Sequence, residues 1–343
     1  MSDAPLLTVN DLHVTFATED GTLRAVDGVS WELREGEVLA IVGESGSGKS
    51  VSAQTIMGLT RGSNARFEGE IHYGDHELVG ASDAELRKLR GSEIAMIFQD
   101  PMTSLNPVYR VGSQIAEQIR AHDDVSKAEA RERTIELFKE VGIPNPQERI
   151  DNYPHEFSGG MRQRAMIAMA MANEPKILIA DEPTTALDVT IQAQIVQILR
   201  NVRERLSSVI LITHDLGVVA EIADRVLVMY GGRVVEEGTL DDIFYDPQHP
   251  YTWGLLGSLT RLDEDRPDRL PSIAGMPPSL LARPHGCAFR PRCPHAIDRC
   301  LEIPELESRI GVPGHLDRCC LEPESKRALR VVHGRIGLEA EVS

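Results

Sequence analysis

The segment Gly43-Glu44-Ser45-Gly46-Ser47-Gly48-Lys49-Ser50 constrains this chain more than any other. It follows an apolar run of strand length, residues 38–42, and leads into a helix-like stretch, residues 50–59. A strand, a glycine loop and a helix in that order form a cradle for phosphate. The glycines let the backbone wrap an anion with its N–H groups turned inward. The helix directs the positive end of its dipole at the same anion. Lys49 is placed to reach the β- and γ-phosphates, and Ser50 to offer its hydroxyl to Mg²⁺. All eight residues, Gly43, Glu44, Ser45, Gly46, Ser47, Gly48, Lys49 and Ser50, are candidate nucleotide contacts.

The surrounding pattern suits an α/β domain. Strand-like runs at 6–9, 13–16, 29–33 and 38–42 are punctuated by turns at Asp20-Gly21 and Glu35-Gly36. Residues 66–98 are β-rich around a polar helix, 82–89, with Ser82 at its cap. Residues 111–141 have a helical pattern, with Ile115, Ile119, Ile135 and Leu137 as candidate core positions. Helix and strand then alternate: 161–172, 176–180, 190–206, 208–213, 216–223 and 225–230. Such alternation implies a parallel sheet with helices packed on it. After about residue 260 proline and arginine rise and periodicity fades, which predicts a first domain over 1–260 and an extension over 261–343.

The 343 residues carry 36 Lys plus Arg and 53 Asp plus Glu, a formal charge of −17, which argues against nucleic acid as a partner. No apolar run approaches the length of a bilayer span, and no secretory signal opens the chain, so a cytosolic protein is expected.

A second acidic site is read from Ile177-Leu178-Ile179-Ala180-Asp181-Glu182, an apolar strand ending in two carboxylates. In open α/β sheets ligands bind at such strand ends. Asp181 is placed to hold Mg²⁺, directly or through water, and Glu182 to orient and deprotonate an attacking water. His214 follows the apolar strand 208–213 and is a candidate γ-phosphate contact.

Five cysteines, at 287, 293, 300, 319 and 320, all lie in the C-terminal extension. In a reducing compartment such a cluster points to a metal more than to disulfides. The spacing of Cys287, Cys293, Cys300 and Cys319 is neither the close pairing of common zinc sites nor a ferredoxin run. Zn²⁺, an iron–sulfur cluster and reduced packing thiols all stay open on spacing alone.

Ser158-Gly159-Gly160-Met161-Arg162-Gln163 opens a helix with another anion-binding end. Together with Gln99, Asp188 and His214, and in the order found here, these motifs resemble the ATP-binding cassette family over residues 6–260. The resemblance implies a RecA-like parallel-sheet core, an antiparallel β subdomain and a helical subdomain at about 105–163. Gln99 would be the Q-loop glutamine and a Mg²⁺ contact, Ala186-Leu187-Asp188 the D-loop, and His214 the switch histidine. Two cassettes would pair head to tail, with Ser158, Gly159 and Gly160 of one completing the ATP site of the other. Phe16 is the candidate ring against adenine. Met161 departs from the family, which often has Gln there.

Within the family, Phe98-Gln99-Asp100-Pro101-Met102-Thr103-Ser104-Leu105-Asn106-Pro107 is similar to the ATPases of dipeptide and oligopeptide importers. So are Asp246-Pro247-Gln248-His249-Pro250-Tyr251-Thr252 and Gly286-Cys287-Ala288-Phe289-Arg290-Pro291-Arg292-Cys293-Pro294. That group implies two membrane permease subunits, a second related ATPase or a second copy, and an extracytoplasmic solute-binding protein. It places the chain on the cytoplasmic face of the membrane. It also links the cysteine module to a [4Fe-4S] cluster held by Cys287, Cys293, Cys300 and Cys319, with Cys320 as the spare. A soluble cassette mechanoenzyme acting on nucleic acid or ribosomes is the alternative. Such proteins usually carry two cassettes or a long coiled coil, and neither pattern occurs here.

Overall fold

The computed structural model describes residues 4–100, 104–185, 187–205, 208–258 and 272–332. The expected domain boundary near residue 260, Ala186 of the D-loop motif and residues 101–103 of the Q-loop segment lie outside the described residues.

Two sheets are stacked. The larger has the order β11-β10-β9-β3-β8-β7-β6. Its members are β3 (Val38–Val42), β6 (Ile94–Ile97), β7 (Ile177–Asp181), β8 (Ser208–Thr213), β9 (Arg225–Tyr230), β10 (Arg233–Thr239) and β11 (Leu316–Asp317). The five strands from β9 to β6 run parallel, and β10 and β11 add antiparallel pairs at one edge. Every residue of β3, β6, β7, β8 and β9 is buried, which explains sequences that are apolar throughout apart from strand-end residues such as Asp181, Ser208, Thr213 and Arg225.

The smaller sheet, β2-β1-β4-β5, is antiparallel. It comprises β1 (Leu7–Thr18), β2 (Gly21–Leu33), β4 (Ala65–Tyr73) and β5 (His76–Glu77). Alternate residues of the large sheet divide between its two faces. Leu39, Ile41, Ile177, Ile179, Ile210 and Ile212 pack toward the antiparallel sheet. Leu178, Ala180, Val209 and Leu211 pack toward helices Gly159–Met171 and Val189–Arg205.

The predicted elements return with small differences. The two short runs at 6–9 and 13–16 are one strand, β1. A bulge interrupts its register between Val9 and Leu12, where Asp11 takes φ 46°. That bulge breaks the apolar alternation, so the strand reads as two. The helical stretch 111–141 is two helices, Val111–His122 and Lys127–Glu140, the second capped by Ser126, which accepts from the Glu129 N–H. Ile115 and Ile119 are buried as expected. Ile135 and Leu137 are only half-buried, because the helix turns Ala130, Thr134 and Phe138 to the core instead. Residues 82–89 hold the expected helix, Asp83–Leu89, closed by a reciprocal cap between Ser82 and Glu85.

The C-terminal extension lies against the large sheet. Its β11 pairs with β10, and Cys287, Ala288, Phe289 and Cys293 join a core cluster with Tyr230 and Tyr251.

Candidate active site

The phosphate loop leaves β3 at Val42 and enters the helix Lys49–Ile56. Two of its glycines are required by close approach. Gly43 has φ 152°, and a Cβ there would stand 2.2 Å from the Met229 carbonyl oxygen. Gly48 has φ 100°, and its Cβ would stand 2.4 Å from the Ala25 oxygen. The loop is thus pressed between β9 and β2, with no room for side chains at these points.

Lys49 is buried and folds back over the loop. Its Nζ donates to the carbonyls of Gly43 at 2.7 Å and Glu44 at 3.0 Å. Burial pulls the Lys49 pKa below its usual value, against the opposing pull of Glu182, Asp181 and Glu44. An anion on the loop would oppose that burial effect and favour the charged ammonium.

Ser50 Oγ donates to Asp181 Oδ1 at 2.8 Å. Burial holds the Asp181 carboxyl above its usual range, opposed by the Ser50 hydrogen bond. A cation shared by the two side chains would reverse that effect, and a hard oxygen pair of this kind fits Mg²⁺.

Glu182 leaves β7 in a left-handed conformation, φ 48°, which costs a non-glycine residue about 1–2 kcal/mol. Its N–H donates to the Ile212 carbonyl at 2.8 Å, fixing the turn to β8. The carboxylate accepts from Gln99 Nε2 at 3.1 Å and from Thr185 Oγ1 at 2.8 Å. His214 Nδ1 stands 3.6 Å from its other oxygen. Four sequence-predicted residues, Gln99, Asp181, Glu182 and His214, therefore converge with Lys49 and Ser50 at the ends of β3, β6, β7 and β8. Thr185 was not foreseen, since a threonine three residues beyond the carboxylate carries no signal by itself.

Ser158, Gly159 and Gly160 are not brought to this loop. Among the described residues they make no hydrogen bond with residues 43–50. Ser158 caps the helix Gly159–Met171, its Oγ accepting from the Met161 N–H at 3.3 Å. Ser158 and Gly159 are exposed, and nothing lies within 4 Å of a Cβ built at Gly159. Asp188 is also exposed and caps the helix Val189–Arg205 through Ile191 N–H at 3.0 Å. Met161 is half-buried against the helical core. Phe16 is half-buried on β1, opposite Leu23 and Ala65, packed on the core of the antiparallel sheet.

All five cysteines line one small cavity with His249 and His295. Burial pushes the thiols up: Cys293 and Cys320 to about 11, Cys319 to about 12, and Cys287 in the same direction. Cys320, assigned from sequence as a spare, faces the same space and donates its S–H to the Arg299 carbonyl at 3.4 Å. Among the described residues no three or more His, Cys, Asp or Glu side chains are grouped to hold a metal ion. The donor set is nonetheless chemically suited to a thiophilic metal, which would replace the protons that burial retains.

A phosphate loop facing an Asp-Glu strand end and a Gln-His pair, with a separate exposed Ser-Gly-Gly helix end, defines an ATP-binding-cassette ATPase. The ABC transporter family matches residues 26–185, and the oligopeptide/dipeptide transporter C-terminal region matches residues 235–300. The chain is 53% identical over 319 residues to the oligopeptide transport ATP-binding protein OppD of Salmonella typhimurium, covering 93% of this chain and 94% of that protein. It is 55% identical over 321 residues to the dipeptide transport ATP-binding protein DppD of Bacillus subtilis, covering 93% and 95%. A solved dimeric ATP-binding cassette in a post-hydrolysis state, bound to ADP and Pi, is similar with TM-score 0.62 and 29% identity, over 68% of this chain and 98% of that one. The chain belongs to the ABC transporter family, in its group of oligopeptide and dipeptide transport ATP-binding proteins.

Proposed function

We propose that this chain hydrolyses ATP to drive import of peptides or related small solutes through a membrane transporter. The observation that carries the reading is the half-built site. Lys49, Ser50, Asp181 and Glu182 converge, whereas the Ser158 helix end faces outward and bonds to none of the loop. A second ATPase, related or identical, completes it: its Ser158, Gly159 and Gly160 supply donors to the γ-phosphate, and its Asp188 lies at the junction. Lys49 and the loop N–H groups of residues 43–48 bind the phosphates. Ser50, Asp181 and Gln99 hold Mg²⁺, Glu182 takes the proton of the attacking water, and His214 contacts the γ-phosphate. Phe16 stacks on adenine. Residues 1–260 form the ATPase domain, with a helical part at about 105–163, and residues 261–343 form the extension.

Among the described residues no helix is long and apolar enough to cross a membrane. In this reading two permease subunits hold the chain at the cytoplasmic face, and an extracytoplasmic solute-binding protein delivers the cargo. The relatives named for oligopeptide and dipeptide transport support this over a soluble mechanoenzyme. Purification of the intact complex, with identification of co-purified subunits and solute, tests the reading. Recovery with ribosomes or DNA and without membrane subunits overturns it.

Cys287, Cys293, Cys300 and Cys319 take a [4Fe-4S] cluster, with Zn²⁺ as the other occupant their chemistry admits. The space between the thiols, about 10 Å³, is room for roughly one water, so a cluster requires the side chains to draw apart. Metal analysis with visible absorption decides between them. A colourless protein with one zinc overturns the cluster.

A further inference from the structure

The second residue of the phosphate loop is gripped by the cysteine-bearing extension. Arg292 lies 248 residues beyond Glu44, in the short turn Arg290–Arg292 between Cys287 and Cys293. Its guanidinium forks onto the Glu44 carboxylate, Nη1 to Oε2 at 2.5 Å and Nη2 to Oε1 at 3.0 Å. The remaining N–H groups donate to Tyr230 Oη at 3.3 Å, the Ile273 carbonyl at 3.1 Å and the Ala274 carbonyl at 3.0 Å. All five donors are thus used, and the side chain is 4% exposed. Glu44 is held again through its backbone, its N–H donating to Tyr251 Oη at 2.8 Å. Phe289, three residues before Arg292, packs edge-on against Tyr230 with ring centres 5.2 Å apart. Pro277, Pro278 and Leu280 face Ser45, Gly46 and Ser47 across a cleft of about 180 Å³.

A surface ion pair would be mobile and weak. This one is bidentate and has one partner whose side chain is almost wholly buried, a geometry that fixes position as well as charge. Phosphate binding depends on loop N–H groups already pointing at the anion, so a clamp on the loop's first turn lowers the ordering cost of binding. We propose that Arg292 is a positioning residue for the phosphate loop, so that ATP affinity depends on the cysteine-bearing extension. The inference rests on ATP binding at residues 43–50.

MgATP affinity of the full chain, measured by calorimetry, tests it. Arg292→Ala weakens affinity about tenfold, and Arg292→Lys recovers part of the loss, since the charge survives without the fork. Glu44→Ala gives a similar loss, and the double variant is no weaker than the weaker single one, the mark of a shared interaction. Arg299→Ala, which removes an exposed ion pair with Glu322 in the same extension, leaves affinity unchanged. Unchanged affinity in folded Arg292→Ala, or losses that simply add, overturns the proposal. If Arg292→Ala does not fold, Glu44→Gln changes only the partly exposed partner, and unchanged affinity there overturns it equally. Lys49→Ala separates the premise: if MgATP still binds as in the unsubstituted chain, ATP lies elsewhere and the premise fails irrespective of Arg292.

Discussion

Gln163 donates its side-chain N–H to the backbone carbonyl of Pro183 at 2.7 Å. Gln163 sits in the helix that opens at Ser158, and Pro183 follows Glu182 directly. One buried hydrogen bond therefore fastens the outward-facing helix end to the turn that holds the carboxylate.

Replacing Gln163 with Leu keeps the bulk and strands the Pro183 carbonyl. We expect about 1–3 kcal/mol loss of stability, the usual cost of an unpaired buried acceptor. ATP turnover should fall further than ATP affinity, because Lys49 and its loop are untouched. Denaturant unfolding and steady-state kinetics read the two effects.

Glu182→Gln keeps the hydrogen-bonding shape and removes the proposed base. Turnover should drop at least about 100-fold, the scale of a positioned general base, while MgATP binding survives. The variant should accumulate as an ATP-bound pair of ATPases, visible by light scattering. Undiminished hydrolysis in its own composite site would sink the assignment.

Phe138 carries the packing between the second helix of the helical region and Phe157, ring centres 6.3 Å apart at 69°. It is fully buried. Phe138→Ala should cost about 3–5 kcal/mol, from lost transfer energy and the cavity left behind. A calorimetric loss below about 1 kcal/mol would mean the region collapses to fill the gap.

His315 is buried beside Glu236, with Nε2 3.0 Å from the carboxylate. Burial alone would lower its pKa, but the Glu236 hydrogen bond and the charges of Glu236, Asp242 and Asp246 carry it above 6.5. The protonated form is thus favoured by folding. Its stabilisation is full below pH 6.5 and is lost as pH rises through the elevated folded value. His315→Gln should therefore lose more stability at about pH 5.5 than at about pH 8.5, read as the difference in Tm from the unsubstituted chain. An equal loss at both pH values would contradict the linkage.

The convergence of the candidate site residues was legible because its signals are local. Lys49 and Ser50 adjoin their loop, and Asp181 ends an apolar strand whose burial is written in its composition. The left-handed backbone of Glu182 was not legible, since nothing in a Glu-Pro pair announces it. Nor was the Asp11 bulge, which depends on β1 meeting both β2 and β4. Arg292 on Glu44 joins points 248 residues apart, and only the packing of Phe289 and Tyr230 brings them together. The cysteines were legible as a cluster, but the inclusion of Cys320 was not, because adjacent residues in an irregular segment need not face apart.

The large sheet ends on β11, a strand of two residues. An uncovered β10, seven residues long, would offer its free N–H and C=O groups to any passing strand. Leu316 and Asp317 occupy part of that edge and are too few to template another chain. We expect the extension, by occupying that edge, to limit pairing with strands of other chains. A chain cut short before Gly314 should be lost to insoluble aggregates even where its cassette is intact.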